Sequence, residues 1–439
     1  MRRDPVTDET VARCREAART DPAEGLPALA EALRGLAYSR PRNRCPDAVS
    51  LVEEAADIYR SLVADGAVEH LGGASHALSS LALWYSLAHA DDLALAARRE
   101  AADLARRAEE ERPEPGFGRA DVMRADLAHA LAEAGRFDEA VDAARAVADR
   151  ARAVAEPDGS DLMWRLLDLT LPLRLAGRTE EAVAVEHEAL APWRDERAQC
   201  AHGVLAALRT AGAALWFDDL GHPGQAHALL GEAASACERL PARGRSGDFG
   251  FHEGLRAVLF ARSGVRDEQA AADAPDPLGV DPRRRLQPVL GLDTHHWSFS
   301  LRASFRDGLD ALVGAVEAIT GTSEDAPGPV PLPQDRDLLA TLGTLTRRCD
   351  LRRAVLGEHP NSYAGTTIPR LQRSVDIERR LHATDPAAGT RRLARALTDL
   401  AMAQLVDNDH AVAAGTLHEA HALPRSPCSP RSPWDPCSP

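Results

Sequence analysis

Read as apolar and polar positions, much of the chain repeats one figure: two apolar stripes of helical period separated by a break of a few polar or small residues. Residues 132–152 align without a gap with residues 86–106. Around the first of these stretches Leu127, Ala128 and Leu131 share one helical face, Gly135 interrupts it, and Phe137, Ala140, Ala144 and Val147 make a second face. The spacing predicts a helix, a tight turn and a second helix. Gly135 can take the left-handed conformation that ends a helix, Asp138 is placed to start the next, and small Ala140 and Ala144 let the two approach closely.

The same skeleton returns four times. It stands at Leu78, Leu81, Ala82, Tyr85, His89, Ala94 and Ala101, and again at Leu169, Leu173, Gly177, Ala182 and Ala189. Further copies are Ala213, Ala214, Phe217, Gly221, Ala226, Leu230 and Ala233, and Leu397, Leu400, Ala401, Asn408, Ala413, Leu417 and Ala420. The last lies at a constant offset of 319 residues from the copy that begins at Leu78. Asn408 tolerates the left-handed turn as glycine does. A degenerate helix at 48–65, AVSLVEEAADIYRSLVAD, reads as the second half of an earlier unit.

These copies share the pattern L-A-x-x-L-x-x-x-G-x-x-x-x-A-x-x-x-A, which resembles a tetratricopeptide repeat. The resemblance covers roughly 70–240 and 390–422. It implies an all-α fold in which antiparallel helix pairs stack into a right-handed superhelical solenoid. Two departures stand out. The turns at His89, Gly135, Gly177 and Gly221 lie 46, 42 and 44 residues apart, against about 34 in the family, so each unit has longer helices. The motif's aromatic positions are mostly Leu or Ala.

Between the two repeat regions the pattern fades. Residues 264–290 and 320–335 are rich in Pro, Asp and Gly and read as loops or linkers. Phe299, Leu301, Phe305, Leu309, Leu312, Val316 and Ile319 keep helical spacing, and further helices are expected near 337–356 and 371–384. The expected organisation is an N-terminal helical cap at 1–47, repeats at 48–240, an irregular helical region at 241–370, a further repeat unit at 371–422, and a disordered tail at 423–439. That tail, rich in Ser, Pro and Cys, abandons the pattern abruptly. A shifted reading frame near residue 424 would produce such a change.

Composition narrows the functions. All 52 basic residues are arginine, a bias that suggests a GC-rich, bacterial genome. A chain without lysine cannot form a Schiff base or supply the lysine of a P-loop or a protein kinase. The formal charge of −15 argues against a nucleic-acid partner, and the arginines between Arg347 and Arg395 read as a solvated helix face. Seven scattered cysteines without a C-x-x-C suit reduced thiols, and neither a leader peptide nor a membrane-spanning run is read. A cytoplasmic location is expected, with no membrane partner.

The search for catalytic chemistry returns structural readings. HEAH at 418–421 is one residue short of the H-E-x-x-H zinc pattern, so His418 and His421 cannot share the metal face that i, i+4 spacing provides. His295 and His296 lack acidic or Cys partners at suitable spacing, and His222 and His227 straddle a turn. GRSGDFG at 244–250 and EPGFG at 114–118 follow no apolar strand, which excludes a nucleophile elbow and a dinucleotide loop. No cofactor and no metal is expected.

The resemblance implies instead that the first helix of each unit lines a groove for an extended peptide or a helix. Carried over position by position, the groove residues are His76, Ser79 and Leu83, then Val122, Ala125, His129 and Glu133, then Trp164 and Arg174, then Asp218. The function expected is that of a non-catalytic scaffold binding a protein or peptide, with a ligand- or peptide-sensing regulator that acts through a separate effector chain as the alternative. The oligomeric state is not legible.

Overall fold

The computed structural model describes residues 6–40, 45–113, 118–154, 160–194, 196–244, 299–321, 332–356 and 366–424. Among the described residues there are sixteen α-helices and no strand. The chain is an all-α helical-repeat protein. It forms two compact units: Met1–Pro157 with Trp164–Gly177 and Ser298–Arg302, and Asp158–Met163 with Arg178–Trp297 and Ala303–Pro439.

The first unit contains α1 (Asp8–Thr20), α2 (Pro22–Ser39), α3 (Cys45–Ala64), α4 (Leu71–Leu87), α5 (Asp91–Glu111), α6 (Arg119–Glu133), α7 (Phe137–Val154) and most of α8 (Ser160–Leu175). Each helix from α1 to α6 packs against its successor. Polar contacts at a fixed interval show that this zigzag has two rows. Arg15 on α1 reaches Glu54 on α3, Arg60 on α3 reaches Glu100 on α5, and Arg99 on α5 reaches Glu139 on α7, the partners lying 39, 40 and 40 residues apart. The other row is tied by Arg34 to His76 and Tyr38 to Ser80, both from α2 to α4, and by Arg119 of α6 to the Gly72 carbonyl of α4. Exposed pairs of this kind each contribute less than about 1 kcal/mol. They follow the repeat rather than hold it.

The turns carry the repeat. His89, Gly135, Gly177, Gly221 and Asn408 have positive φ of 57°, 75°, 73°, 78° and 63°. At Gly135 the N–H donates to the Ala132 carbonyl, and the Arg136 N–H donates to the Leu131 carbonyl. The same two bonds form at Ser86 and Tyr85, at Asp218 and Phe217, and at Leu405 and Gln404. They satisfy carbonyls that the helix end would leave open. Beyond each turn the alanines are buried: Ala94 and Ala101, Ala140 and Ala144, Ala182 and Ala189, Ala226 and Ala233, Ala413 and Ala420.

A second turn type joins α1 to α2, and recurs in the second unit between α14 (Ile368–Thr384) and α15 (Pro386–Val406). The sequences are TDPAEG at 20–25 and TDPAAG at 384–389. Asp21 and Asp385 cap the following helix through their carboxylates, accepting from the backbone of Ala23 and Glu24 and of Ala388 respectively. The glycine lets the helices touch: a Cβ at Gly25 would lie 2.4 Å from the Ala18 Cα, and one at Gly389 2.5 Å from the His382 Cα. Arg379 on α14 reaches Glu419 as Arg15 reaches Glu54, so the two hairpins open equivalent modules.

The second unit contains α9 (Thr179–Leu190), a short 3-10 turn (Ala191–Arg194), α10 (Glu196–Asp219), α11 (Pro223–Glu238), most of α12 (Phe299–Thr320), α13 (Arg336–Leu356), α14, α15 and α16 (His410–Ala422). Helices α13 to α16 pack in chain order. Leu312 and Val316 of α12 join Leu339, Leu342 and Leu345 of α13 and Ile377 and Leu381 of α14 in one core. The two runs then meet end to end, α16 lying on α11 and α15 on α10. Gly244 N–H donates to the Asn408 carbonyl, Ala411 N–H to the Ala242 carbonyl, and His410 Nδ1 lies 2.8 Å from the Pro241 carbonyl oxygen. Arg391 and Arg395 both bind Asp218, and Arg395 also binds Asp219. His418 Nε2 lies 2.8 Å from Glu238, and the rings of His227 and His421 stack at 4.1 Å.

Among the described residues, two ion pairs with a fully buried carboxylate sit inside this unit. Glu186 of α9 and Arg209 of α10 are both fully buried and in contact, and Arg347 of α13 binds Asp399 of α15 at 2.6 Å. Asp350 is also buried, which pushes its carboxyl up to about 7, and it accepts a hydrogen bond from Ser374. Removing one partner of a buried pair leaves an uncompensated charge in a poor solvent, costing about 3–5 kcal/mol. Apolar residues of like volume in both places remove that penalty.

Two outcomes follow for urea denaturation. Gly135→Ala, where the added Cβ meets nothing within 4 Å, loses about 1 kcal/mol through the left-handed backbone alone, whereas Gly25→Ala loses more because its Cβ overlaps α1. Arg209→Met alone lowers the midpoint strongly, and Glu186→Leu added to it restores most of the loss; a double variant as unstable as the single one would contradict the pairing.

Candidate functional site

The row α2, α4, α6 and α8 presents the residues that the repeat pattern nominates. On α4, His76, Ser79 and Leu83 follow helical spacing; His76 and Leu83 are exposed and Ser79 is half-buried. Leu83 is 37% exposed and Val122, on the first turn of α6, is 42% exposed. Three and seven residues further along α6, Ala125 and His129 are buried, and Glu133 at its end is half-buried. His129 Nε2 lies 3.8 Å from the Asp168 carboxylate of α8, which also accepts from Arg165 at 3.1 Å. Arg174 is half-buried in the last turn of α8. Trp164 belongs to α8, and its side chain lies outside the described residues.

Asp218 stands apart from these nine. It ends α10 in the second unit, half-buried, with Arg391 and Arg395 of α15 on its carboxylate. Its chemistry is that of a junction between helix pairs. His418 and His421 also lie there, on α16. His295 and His296 lie outside the described residues.

Three residues that the sequence reading passed over complete the face. Tyr38 of α2 is 53% exposed, bonds Ser80 and lies 6.1 Å from the Trp84 ring. Arg34 and Arg119 flank His76 from either side. Residues 1–47 read as a cap, which hid α2 as a member of the row. The signal that could have found it is the hexapeptide TDPAEG and its second copy at 384–389.

The face is apolar at three points and positive between them. Arg34 donates to His76 Nδ1 at 2.8 Å, which needs a neutral ring nitrogen as acceptor. Partial burial first, then the charges of Arg34 and Arg119, hold the imidazole below its ordinary pKa of 6.5. Glu31 pairs with Arg34 on the far side.

No protein-family model and no curated protein matches the chain. Among solved structures, one match is described as a "circular tandem repeat protein with novel repeat topology and enhanced subunit contact surfaces". The two chains are 14% identical over 94% of each, with a TM-score of 0.23. Among the described residues no helix is long and apolar enough to cross a membrane.

The lowered pKa of His76 makes this residue's contribution to stability sensitive to acid. Below pH 6.5 the unfolded imidazole takes up a proton that the folded one refuses, so this residue's contribution to stability falls with pH. In unfolding curves between pH 7 and pH 5, His76→Gln, which keeps an acceptor for Arg34, flattens part of the decline. An unchanged slope would show that neither burial nor the Arg34 and Arg119 charges hold this ring's pKa down.

Proposed function

We propose that the chain is a tetratricopeptide-like scaffold, without catalytic activity of its own, that holds a protein or peptide partner on the row formed by α2, α4, α6 and α8. The observation that carries this reading is the exposure of one large apolar residue on each of three neighbouring helices of that row, Tyr38 on α2, Leu83 on α4 and Val122 on α6. Isolated surface apolar residues are ordinary, whereas one on each successive helix of a repeat row is what a partner laid across the repeats would meet. Arg34, His76 and Arg119 supply polar contacts among them. A bacterial, cytoplasmic origin belongs to the same reading.

A second reading, a ligand-sensing regulator, is favoured by a cavity in the second unit. It needs a separate effector chain.

The test is an affinity pull-down from the native cell extract. The intact chain is set beside Leu83→Glu with Val122→Glu, and beside Trp164→Ala with Arg174→Ala. The expected result is a partner held by the intact chain and lost by the first variant while its helical circular dichroism is unchanged. Equal retention by both variants would move the binding surface elsewhere, and turnover of a substrate by the purified protein alone would overturn the non-catalytic reading.

A further inference from the structure

The second unit has a cleft of about 470 Å³, open to solvent on one side, between α9, the Ala191–Arg194 turn, α10 and α11. This lies within the size range of small-molecule sites, about 300–1,000 Å³. Its floor is apolar, made by Leu190, Ala206 and Ala236. Around the floor stand two guanidinium groups, Arg194 and Arg239, two hydroxyls, Thr210 and Ser235, and one carboxylate, Glu232.

The donors outnumber the acceptors. Arg194 bonds Glu232 at 3.3 and 3.4 Å with both side chains about half exposed, a contact that holds weakly in water and yields to a better partner. Arg239 closes α11 and is exposed, and no acidic side chain among the described residues pairs with it. Thr210 gives its proton to the Ala206 carbonyl, while Ser235 faces the cavity from the same helix as Glu232, one turn before Arg239. The positive potential reaches past the wall: after burial, the charge of Arg194 is the next cause that disfavours protonation of His187 on α9.

A helix C-terminus alone favours a cation at Arg239. That accounts for one charge and leaves unexplained a roomy cavity with a second guanidinium and a serine directed at the same space. A planar guanidinium matches carboxylate and phosphate oxygens in a forked pair of hydrogen bonds, and the apolar floor suits a short hydrocarbon body. We propose that this cavity binds a small organic anion, its carboxylate or phosphate held by Arg239, Arg194 and Ser235 and its apolar body on Leu190, Ala206 and Ala236. The site is independent of the face on α2, α4 and α6, so either can fail without the other.

The test is isothermal titration of the full chain with inorganic phosphate, and separately with glutarate, at constant ionic strength made up with chloride. The expected result is saturable binding of at least one anion, weakened about tenfold or more in Arg239→Gln and abolished in Ser235→Leu, which fills the cavity and keeps both arginines. Phosphate binding alone assigns a phosphorylated ligand; glutarate binding, with or without phosphate, assigns a carboxylate. No saturable heat with either anion, or equal affinity in the folded Arg239→Gln protein, overturns the site. Arg239 is exposed at a helix end, so that variant decides the matter even if Ser235→Leu does not fold.

Discussion

The structure depends on a seam between antiparallel helices, lined by alanine and closed at one end by a residue in the left-handed conformation. At that turn the chain must reverse within three residues, and two hydrogen bonds to the previous helix fix where the next one starts. The register set there puts Ala140 and Ala144 in the seam between α6 and α7, and their counterparts in the other repeats are buried too. Large side chains at these points would hold the axes apart and break the turn's hydrogen bonds. Alanine, however, buries little area, and burying a Leu contributes about 1.5–3 kcal/mol where alanine contributes far less. Each pair therefore needs its neighbours' leucines, and a single unit cannot stand alone.

Stacking brings two kinds of charge contact, with different consequences. The recurring pairs on the row α1, α3, α5 and α7 are exposed and weak, and they mark the period of the repeat. Glu186 with Arg209, and Arg347 with Asp399, lie in the interior, where each half is intolerable without the other. These pairs limit which helices can be neighbours. The junction of α10 and α11 with α15 and α16 adds a cluster of its own, with Arg391 and Arg395 on Asp218 and histidines on both sides. The two runs of the second unit thus meet at their last helix pairs, although 171 residues separate Glu238 from the turn residue Asp409.

The two candidate sites differ for physical reasons. The face on α2, α4 and α6 is open, apolar at intervals of one helix, and suited to a long partner that pays its ordering cost over many contacts. The cavity beside α11 is small and rich in hydrogen-bond donors. It suits a compact anion. One chain can offer both because a repeat array separates the helix positions that pack from those that face outward.

Taken alone, the sequence determined the helix pairs, the turn residues and the buried alanines, because all of these are local: a 3.6-residue period, a left-handed residue and a small side chain act within about one turn of the chain. Leu83 and Val122, nominated by the same local pattern, are exposed. Ala125 and His129 follow Val122 by three and seven residues and are nonetheless buried, since how far a neighbouring helix covers a face depends on its axis and not on the period. Asp218 looked like a groove position because its own helix resembles the others; Arg391 and Arg395, which occupy its carboxylate, come from a helix 167 residues downstream of α10. The meeting of α11 with α16, the burial of Glu186 with Arg209, and the convergence of Arg194, Ser235 and Arg239 on one cavity were decided by the tertiary structure alone. Each needs groups from helices whose mutual placement is set by the sum of many packing contacts, and no spacing along the chain encodes that sum.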